Sequence, residues 1–409
     1  MSGADQPEPG CHAAGAGGAA GVERRGRALR FVLLVGVMSF FADFTYEGSR
    51  SVVGPYLGLL GAGAATISVV SGAGELLGYG LRLLSGPGAD RTGRHWPITI
   101  AGYVLQMTVV PLLALAGSWP VAALLIILER VGKAIRNPPR DAMLSHAGTE
   151  LGGGWAFGLH EALDQFGATF GPLLIALVLL VHRHDYRLAF ALLAIPAGIE
   201  LSVLGAARLS YPRPAELEAG WTPATAAGGR LPARLWIYLA AAALVGAGFA
   251  DFPLIAYHLE RARIVSPDTV PVLYAVAMAV GGVGSLIFGR AFDRHGMGLL
   301  LPLTLLAAGY APLVFLGGFG ASLAGIVLWG IGSGVQESII PAAVGRMVGP
   351  DRRASAFGVF TGIYGVAWFL GSVAIGLLFG VSLTAVAVFS LASELLALLP
   401  LWLTMRRAG

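Results

Sequence analysis

Charge is what this chain has least of. Only 12% of its 409 residues are Asp, Glu, Lys or Arg, against about 25% in soluble domains. Three stretches carry none: Trp96–Leu128, Gly296–Gln336 and Ala354–Ser393. Each is too long for one bilayer crossing of ~20 residues and fits two with a turn between them. The single cysteine, Cys11, excludes a disulfide framework, and no apolar segment precedes it as a lipid-attachment site would require. The ~10-residue alternation of a membrane barrel is missing, as is a cleavable signal peptide. So are a Walker phosphate loop, an HExxH, a GxSxG and any metal-spaced cluster. ATP-driven transport and enzymatic activity are therefore not expected, nor is a cofactor or a metal. His182 and His184 form only an H-x-H in a solvated loop.

What remains is apolar: 56% of the residues are hydrophobic and 60 are glycine. The chain reads as an all-α polytopic membrane protein with about twelve transmembrane helices. Approximate spans are 29–53, 66–84, 96–116, 120–140, 154–181, 186–208, 234–259, 269–289, 298–318, 322–346, 354–379 and 383–405. Residues 1–28 read as a disordered cytoplasmic tail. Residues 29–209 form an N-terminal six-helix half, 210–233 a cytoplasmic linker rich in Pro, Gly and Ala, and 234–405 a C-terminal half. With the N-terminus inside, Arg24, Arg25, Arg27, Arg91, Arg94, Arg140, Arg290, Arg294, Arg352 and Arg353 all lie in inner loops, and few basic residues face out. That asymmetry follows the positive-inside rule. It puts both termini in the cytoplasm of a cell whose inner membrane holds the protein. The basic residues are spread over many loops, so no nucleic-acid partner is expected.

The halves repeat each other. "FADF" occurs at Phe41–Phe44 and at Phe249–Phe252, an offset of 208 residues. Asp90 and Asp293 are offset by 203, and "AFG" recurs at Ala156 and Ala356 with an offset of 200. Gly132 and Gly332, and Gly171 and Gly371, share that last offset. Two related six-helix halves around a midplane site are the architecture of an alternating-access transporter.

Gly86, Asp90, Arg91, Gly93 and Arg94 match a G-x-x-x-D-R-x-G-R loop between helices 2 and 3, with a degenerate copy at Asp293 and Arg294 between helices 8 and 9. In this the chain resembles the major facilitator superfamily, over about residues 29–405. "ERVGKAIRNPPRDAMLSHA" (Glu129–Ala147) and "WAFGLHEALDQFGATFGP" (Trp155–Pro172) are similar to strings of a bacterial and archaeal subgroup with no settled substrate. The resemblance implies transport but not cargo. It implies that the helix 2–3 loop is a conformational latch, in which Asp90 pairs with an arginine or caps a helix. Helix 4 resembles the family's motif with an intramembrane arginine, here Arg130, followed by Lys133 and Ala134 where that motif has Gln and Gly. "GATFGP", with Gly167, Gly171 and Pro172, resembles the glycine-proline motif of the antiporter branch.

Charges inside a membrane need partners or a wet cavity, at ~2.5–3.5 kcal/mol each on insertion scales. Asp43, Glu47 and Arg50 are spaced i, i+4, i+7 on one face of helix 1. Asp251, Ile255 and His258 repeat that spacing on helix 7. Glu129, Arg130, Lys133 and Arg136 follow one another along helix 4, which Pro138 and Pro139 end. His160, Glu161, Asp164 and Gln165 lie on helix 5. The expected pairing is Glu161 and Asp164 with Lys133 and Arg136. Such a network either holds helices 4 and 5 together or forms a substrate or proton site. Lys133 is the sole lysine, and lysine, unlike arginine, can lose its proton. Glu75, Tyr79 and Arg82 form an interhelical bridge on helix 2. Glu337 and Gln336 line the cavity from helix 10. Glu200 and Glu394 are either protonated or packed against a neighbour.

These readings converge on a proton-coupled secondary transporter, an antiporter that carries a small solute out across the membrane. Its partners are the solute, the proton and the lipid bilayer, and it is expected to be a monomer. Asp43 is the first proton carrier and Asp251 the second, with Glu47 and Arg130 beside them. Lys133, Arg136, Glu161, Asp164, Gln336 and Glu337 are the substrate-cavity residues. The alternatives are uptake of a polar or anionic metabolite, or a receptor that keeps the fold without transport.

Overall fold

The computed structural model describes residues 13–151, 153–214, 231–348 and 353–406. Among them there is no strand, and twelve spans follow one another. The first six are α1 (Ala13–Leu59), α2 (Ala64–Thr92), α3 (His95–Leu112), α4 (Trp119–Leu151), α5 (Gly153–Val181) and α6 (Tyr186–Leu192 with Ala194–Ser210). After the linker come α7 (Ala233–Gly248 with Phe252–Arg261), α8 (Thr269–His295), α9 (Leu300–Ala308 with Tyr310–Leu316), α10 (Phe319–Met347), α11 (Arg353–Val381) and α12 (Leu383–Arg406). Ten of these are long and apolar enough to cross a bilayer. The other two, α2 and α4, are interrupted by more charged residues. Only helices satisfy every backbone group within one segment in lipid, which is why the apolar runs all take this form.

Two boundaries differ from the sequence expectation. The first helix already starts at Ala13, inside the stretch read as a tail. Residues 1–12 and 215–230, the tail's beginning and most of the linker, lie outside the described residues. The fourth helix does not stop at Pro138–Pro139 but continues to Leu151. Met143, Leu144 and Ala147 beyond the prolines are buried with Ala28, Phe31 and Trp96. That packing holds the chain helical where local preference favours a stop.

The FADF repeat folds two ways. In α1 it is mid-helix. In α7 the helix breaks, with Phe249 and Asp251 extended. The residue after the motif decides this: Thr45 in one half, Pro253 in the other. A proline at 253 has no N–H for the carbonyl of Phe249 and its ring collides with it, whereas it suits the first turn of a new helix. The freed backbone groups are taken up by side chains. Tyr310 Oη donates to Gly248 O at 2.9 Å and accepts from Ala250 N at 2.5 Å. Trp329 Nε1 donates to Ala250 O at 2.9 Å.

Pseudo-symmetry is visible in the packing. A Cβ at Gly171 would strike the carbonyl of Phe44 in α1, and one at Gly371 that of Ala247 in α7. Each half thus presses its fifth helix onto its first through a glycine. Gly93 and Gly296, 203 residues apart like Asp90 and Asp293, both take φ of 64° at the ends of α2 and α8. The halves meet along α2 and α11, where Gly72 faces Ser372, and along α5 and α8, where Gly282 faces Gln165.

Candidate functional site

The charged residues of α1, α2 and α4 form one network at the centre of the bundle. Asp43 sits between two cations of α4, with Lys133 Nζ at 3.6 Å and Arg136 Nη2 at 3.4 Å. Arg136 is wholly buried. Its Nε donates to Gln106 Oε1 at 2.6 Å, and Nη1 donates to Tyr103 Oη at 2.9 Å, both on α3. Gln106 in turn donates to Glu129 Oε1 at 2.7 Å. Arg130 Nη1 reaches Glu75 Oε1 at 2.9 Å. Arg50 shares that oxygen at 3.3 Å, so Glu75 bridges α1, α2 and α4 as expected. The Tyr46 ring is the hub of the cations: Lys133 lies 3.8 Å from its centroid, Arg130 4.9 Å and Arg50 5.9 Å. Cations over an aromatic face are attracted by its quadrupole.

The expected pairing of α5 acids with α4 cations is replaced. Lys133 and Arg136 take Asp43 of α1 as their direct partner. Asp164 of α5 faces Asp43, and its Oδ1 meets no hydrogen-bond partner among the described residues. Glu161 is exposed and accepts from Gln165 of its own helix at 3.1 Å.

The second half closes on this network from the other side. Asp251, at the α7 break, accepts from Ser372 Oγ at 2.8 Å and Trp368 Nε1 at 3.2 Å. It also faces Arg50 Nη2 at 3.7 Å. Tyr274 of α8 donates to Glu47 Oε2 at 2.5 Å. Gln336 accepts from Tyr364 at 2.5 Å. Glu337 sits on a π-helical turn, Val335–Ile339, inside α10. It is exposed, and it faces Glu47, Glu161 and Lys133 across the gap between the halves. Single π turns are frequent where a helix serves a site. A cavity is lined by Tyr46, Arg50, Ser71, Glu129 and Arg130 of the first half and by Pro253 of the second. His258, expected on the face of Asp251, packs instead against the rings of Phe315 and Phe379. The break in α7 removes the register that would have aligned them.

The end of the bundle away from both termini is shut. A Cβ on Gly54 of α1 would run into the Pro253 carbonyl of α7. Tyr186 donates to Glu260 at 2.5 Å and His184 contacts Asp268 at 3.1 Å, both across the halves. Asp268 loses some water to burial, which pushes its carboxyl up. Hydrogen bonds from Ser266 and His184 outweigh this and hold it below the usual carboxylate range. Of the latch, Gly93 and Arg94 form the turn from α2 to α3, and Arg294 lies exposed near the end of α8. The side chains of Asp90, Arg91 and Asp293, and the surroundings of Gly86, lie outside the described residues. Gly167 and Gly171 press α5 against the carbonyls of Phe40 and Phe44, with Pro172 following inside the helix.

Sequence comparison agrees with this architecture. The sequence model described as Major Facilitator Superfamily matches residues 33–372 and again 250–408. The chain belongs to the major facilitator superfamily. Among its relatives, the uncharacterized protein Rv2265 of Mycobacterium tuberculosis is 40% identical over 375 residues, 91% of this chain and 92% of the relative. The uncharacterized MFS-type transporter MJ1317 of Methanocaldococcus jannaschii is 26% identical over 366 residues, 86% and 89% of the two chains. In fold, the chain is similar to the crystal structure of the nucleoside transporter NupG. The TM-score is 0.71 at 15% identity, over 92% of this chain and 98% of that one. The family and the fold make this a secondary transporter in general terms.

Several residues of the network carry no charge and do not stand out in the sequence. Tyr46, Tyr103, Gln106 and Tyr274 are uncharged members of apolar helices, so pattern alone hides them. Tyr46 had one signal: it adjoins Glu47 and lies three residues after Asp43. Ser39 and His160, 2.7 Å apart, with Arg140 3.1 Å from Ser39, extend the network toward the termini.

Proposed function

We propose that the protein is a proton-coupled antiporter that exports a small organic solute, with Asp43 as the proton carrier. The observation that carries this reading is the setting of Asp43: Lys133 and Arg136 on one side and the Asp164 carboxyl on the other. A proton arriving there is shared between two acids and releases two cations. Those cations belong to α4, whose neighbour Arg130 holds Glu75, and Glu75 holds Arg50 against Asp251 of the other half. Protonation and the contact between halves therefore lie on one chain of hydrogen bonds and ion pairs, joined through Gln106 and Glu129. With the termini cytoplasmic, the shut end faces outward, and Glu161 and Glu337 line an opening toward the cytoplasm. The solute enters there. "GATFGP" of α5 supports export, by its resemblance to the antiporter branch.

A second reading, uptake of an anionic metabolite, is favoured by one feature. Arg50, Arg130 and Lys133 surround Tyr46, and Arg50 Nε has no acceptor among the described residues. A carboxylate or phosphate in the cavity would supply one.

Thermal unfolding in detergent against a metabolite and drug library finds the cargo class; a ligand at 100 times its Kd adds ~2.7 kcal/mol to the native state. The stabilising compound is then followed into proteoliposomes under an imposed pH gradient. Asp43→Asn is expected to insert and fold while losing pH-driven flux. Unchanged flux in that variant removes Asp43 from the mechanism.

A further inference from the structure

Positive charge without a counter-ion gathers at the end of the first half where the chain begins. α1 carries Arg24, Arg25, Arg27 and Arg30 there, all exposed. The other face of the same turns is buried, through Ala28, Phe31 and Val32. At 1.5 Å per residue the four arginines lie within ~9 Å along the helix axis. Their fields therefore add, since salt screens charge only beyond ~8 Å at physiological ionic strength. One turn past Arg30, Leu33 is 41% exposed.

Tertiary contacts bring two more arginines to this row. Tyr211, just past the end of α6, meets Phe31 edge to face with ring centroids 5.1 Å apart. Its hydroxyl donates to the Arg27 carbonyl at 3.1 Å. Trp96 of α3 donates to the Tyr211 carbonyl at 2.9 Å. These contacts tie α1, α3 and α6 at one point. Arg94 stands two residues before Trp96, and Arg208 three before Tyr211. Among the described residues no carboxylate pairs with any of the six arginines. Arg208 spends one nitrogen on the Pro212 carbonyl at 3.2 Å. Leu209 beside it is 84% exposed. Bare leucines next to guanidinium groups suit the boundary between lipid headgroups and acyl chains, where an arginine keeps its stem in apolar surroundings and its head in the polar layer.

We propose that this cluster binds the headgroup of an anionic phospholipid in the adjacent leaflet. Clusters of about four to eight basic residues just outside a membrane-spanning helix attract anionic lipid. The side chains narrow the partner further. All six are arginines, and a guanidinium meets two phosphate oxygens at once through its planar fork, where an ammonium acts as a point charge. The lipid phosphate sits among the guanidinium groups, and the acyl chains run along Leu33 and Leu209. A soluble anion has no use for the leucines. The bound lipid holds three helices of the first half at the point where Tyr211 already joins them. The site is independent of the direction and the coupling of transport.

Native mass spectrometry tests this on the full chain in detergent. Phosphatidylglycerol and phosphatidylcholine with the same acyl chains are offered together, and the lipid retained is counted. Phosphatidylglycerol is expected to be preferred. The triple variant Arg24→Gln, Arg27→Gln, Arg30→Gln is expected to cut that preference by about tenfold or more. The pair Arg94→Gln, Arg208→Gln leaves α1 untouched and is expected to cut it as well. Arg290→Gln with Arg406→Gln, both exposed at the corresponding end of the second half, is expected to keep the parent's preference. If neither first-half variant lowers the preference, or the second-half pair lowers it as much, the site is overturned. Displacement of the bound lipid by inorganic phosphate would show a site for soluble anions and overturn the lipid assignment. The Tm of each variant in phosphatidylcholine checks its fold. Should the triple variant fail that check, the Arg94 and Arg208 pair decides the outcome alone.

Discussion

Arg50 of α1 reaches Asp251 of α7 at 3.7 Å while sharing Glu75 of α2 at 3.3 Å. One guanidinium therefore ties the acid of the second half to the network of the first. A double-mutant cycle measures that tie. Arg50→Gln and Asp251→Asn are each expected to lower thermal stability in detergent, and the double variant to lower it by less than the sum. Contacting charged residues usually couple by ~0.5–3 kcal/mol. Strict additivity would show that the halves are not joined through this pair.

One hydroxyl serves two backbone groups at the α7 break. Tyr310 serves Gly248 O and Ala250 N together. Tyr310→Phe keeps the ring against Phe249 but orphans the buried Ala250 N–H, at ~1–3 kcal/mol, while Gly248 O keeps Ser390 as a donor. A clear fall in Tm is expected with little change in volume. An unchanged Tm would mean that Ser390 at Gly248 O and Trp329 at Ala250 O hold the break without it.

Closure of the end away from the termini needs a bare backbone at residue 54. Gly54→Val puts side-chain atoms into the Pro253 carbonyl, and overpacking of this sort costs ~1–3 kcal/mol. Since ~1.4 kcal/mol is about tenfold in an equilibrium, the closed state is expected to lose about tenfold or more in population. Cysteines placed at Gly58 and Tyr257 should then become more reactive to a bulky maleimide. Equal reactivity in Gly54→Val and its parent would place the closing contact elsewhere.

Asp268 gives the same end a pH response. Its carboxyl is held below the usual range, so its contribution is fully present above ~3.9, the ordinary aspartate value. It is lost only as the pH falls through the lower native value. The contact with His184 is largely exposed, with 46% of the histidine side chain open to solvent, and such pairs contribute ~0–1 kcal/mol. Asp268→Asn is expected to leave Tm at pH 7 nearly unchanged and to flatten its fall in strong acid. A large loss at pH 7 would show a role beyond this surface pair.

Much of the site was legible because charge is so scarce. Against long apolar runs, Asp43, Glu47, Arg50, Glu75, Arg130, Lys133 and Arg136 stand out, and the structure gathers all of them. Their partners were harder to read. The α4 cations pair with Asp43 rather than with Glu161 because side-chain direction depends on how α1, α4 and α5 rotate against each other. Tyr46 and Tyr274 were hidden among other apolar ring residues. Glu337 was found, but not the π turn that aims it.

The sequence by itself determined that the chain crosses a membrane, where its helices lie, and that its halves repeat. Those follow from apolar run length, turn residues and the FADF offset, which are properties of neighbouring residues. Only the tertiary structure decided that α4 runs through two prolines and which acid each cation holds. Those outcomes depend on contacts between residues far apart in the chain. Burial in the assembled bundle outweighs local preference there, because an unmet polar group inside the membrane costs more than a strained turn of helix.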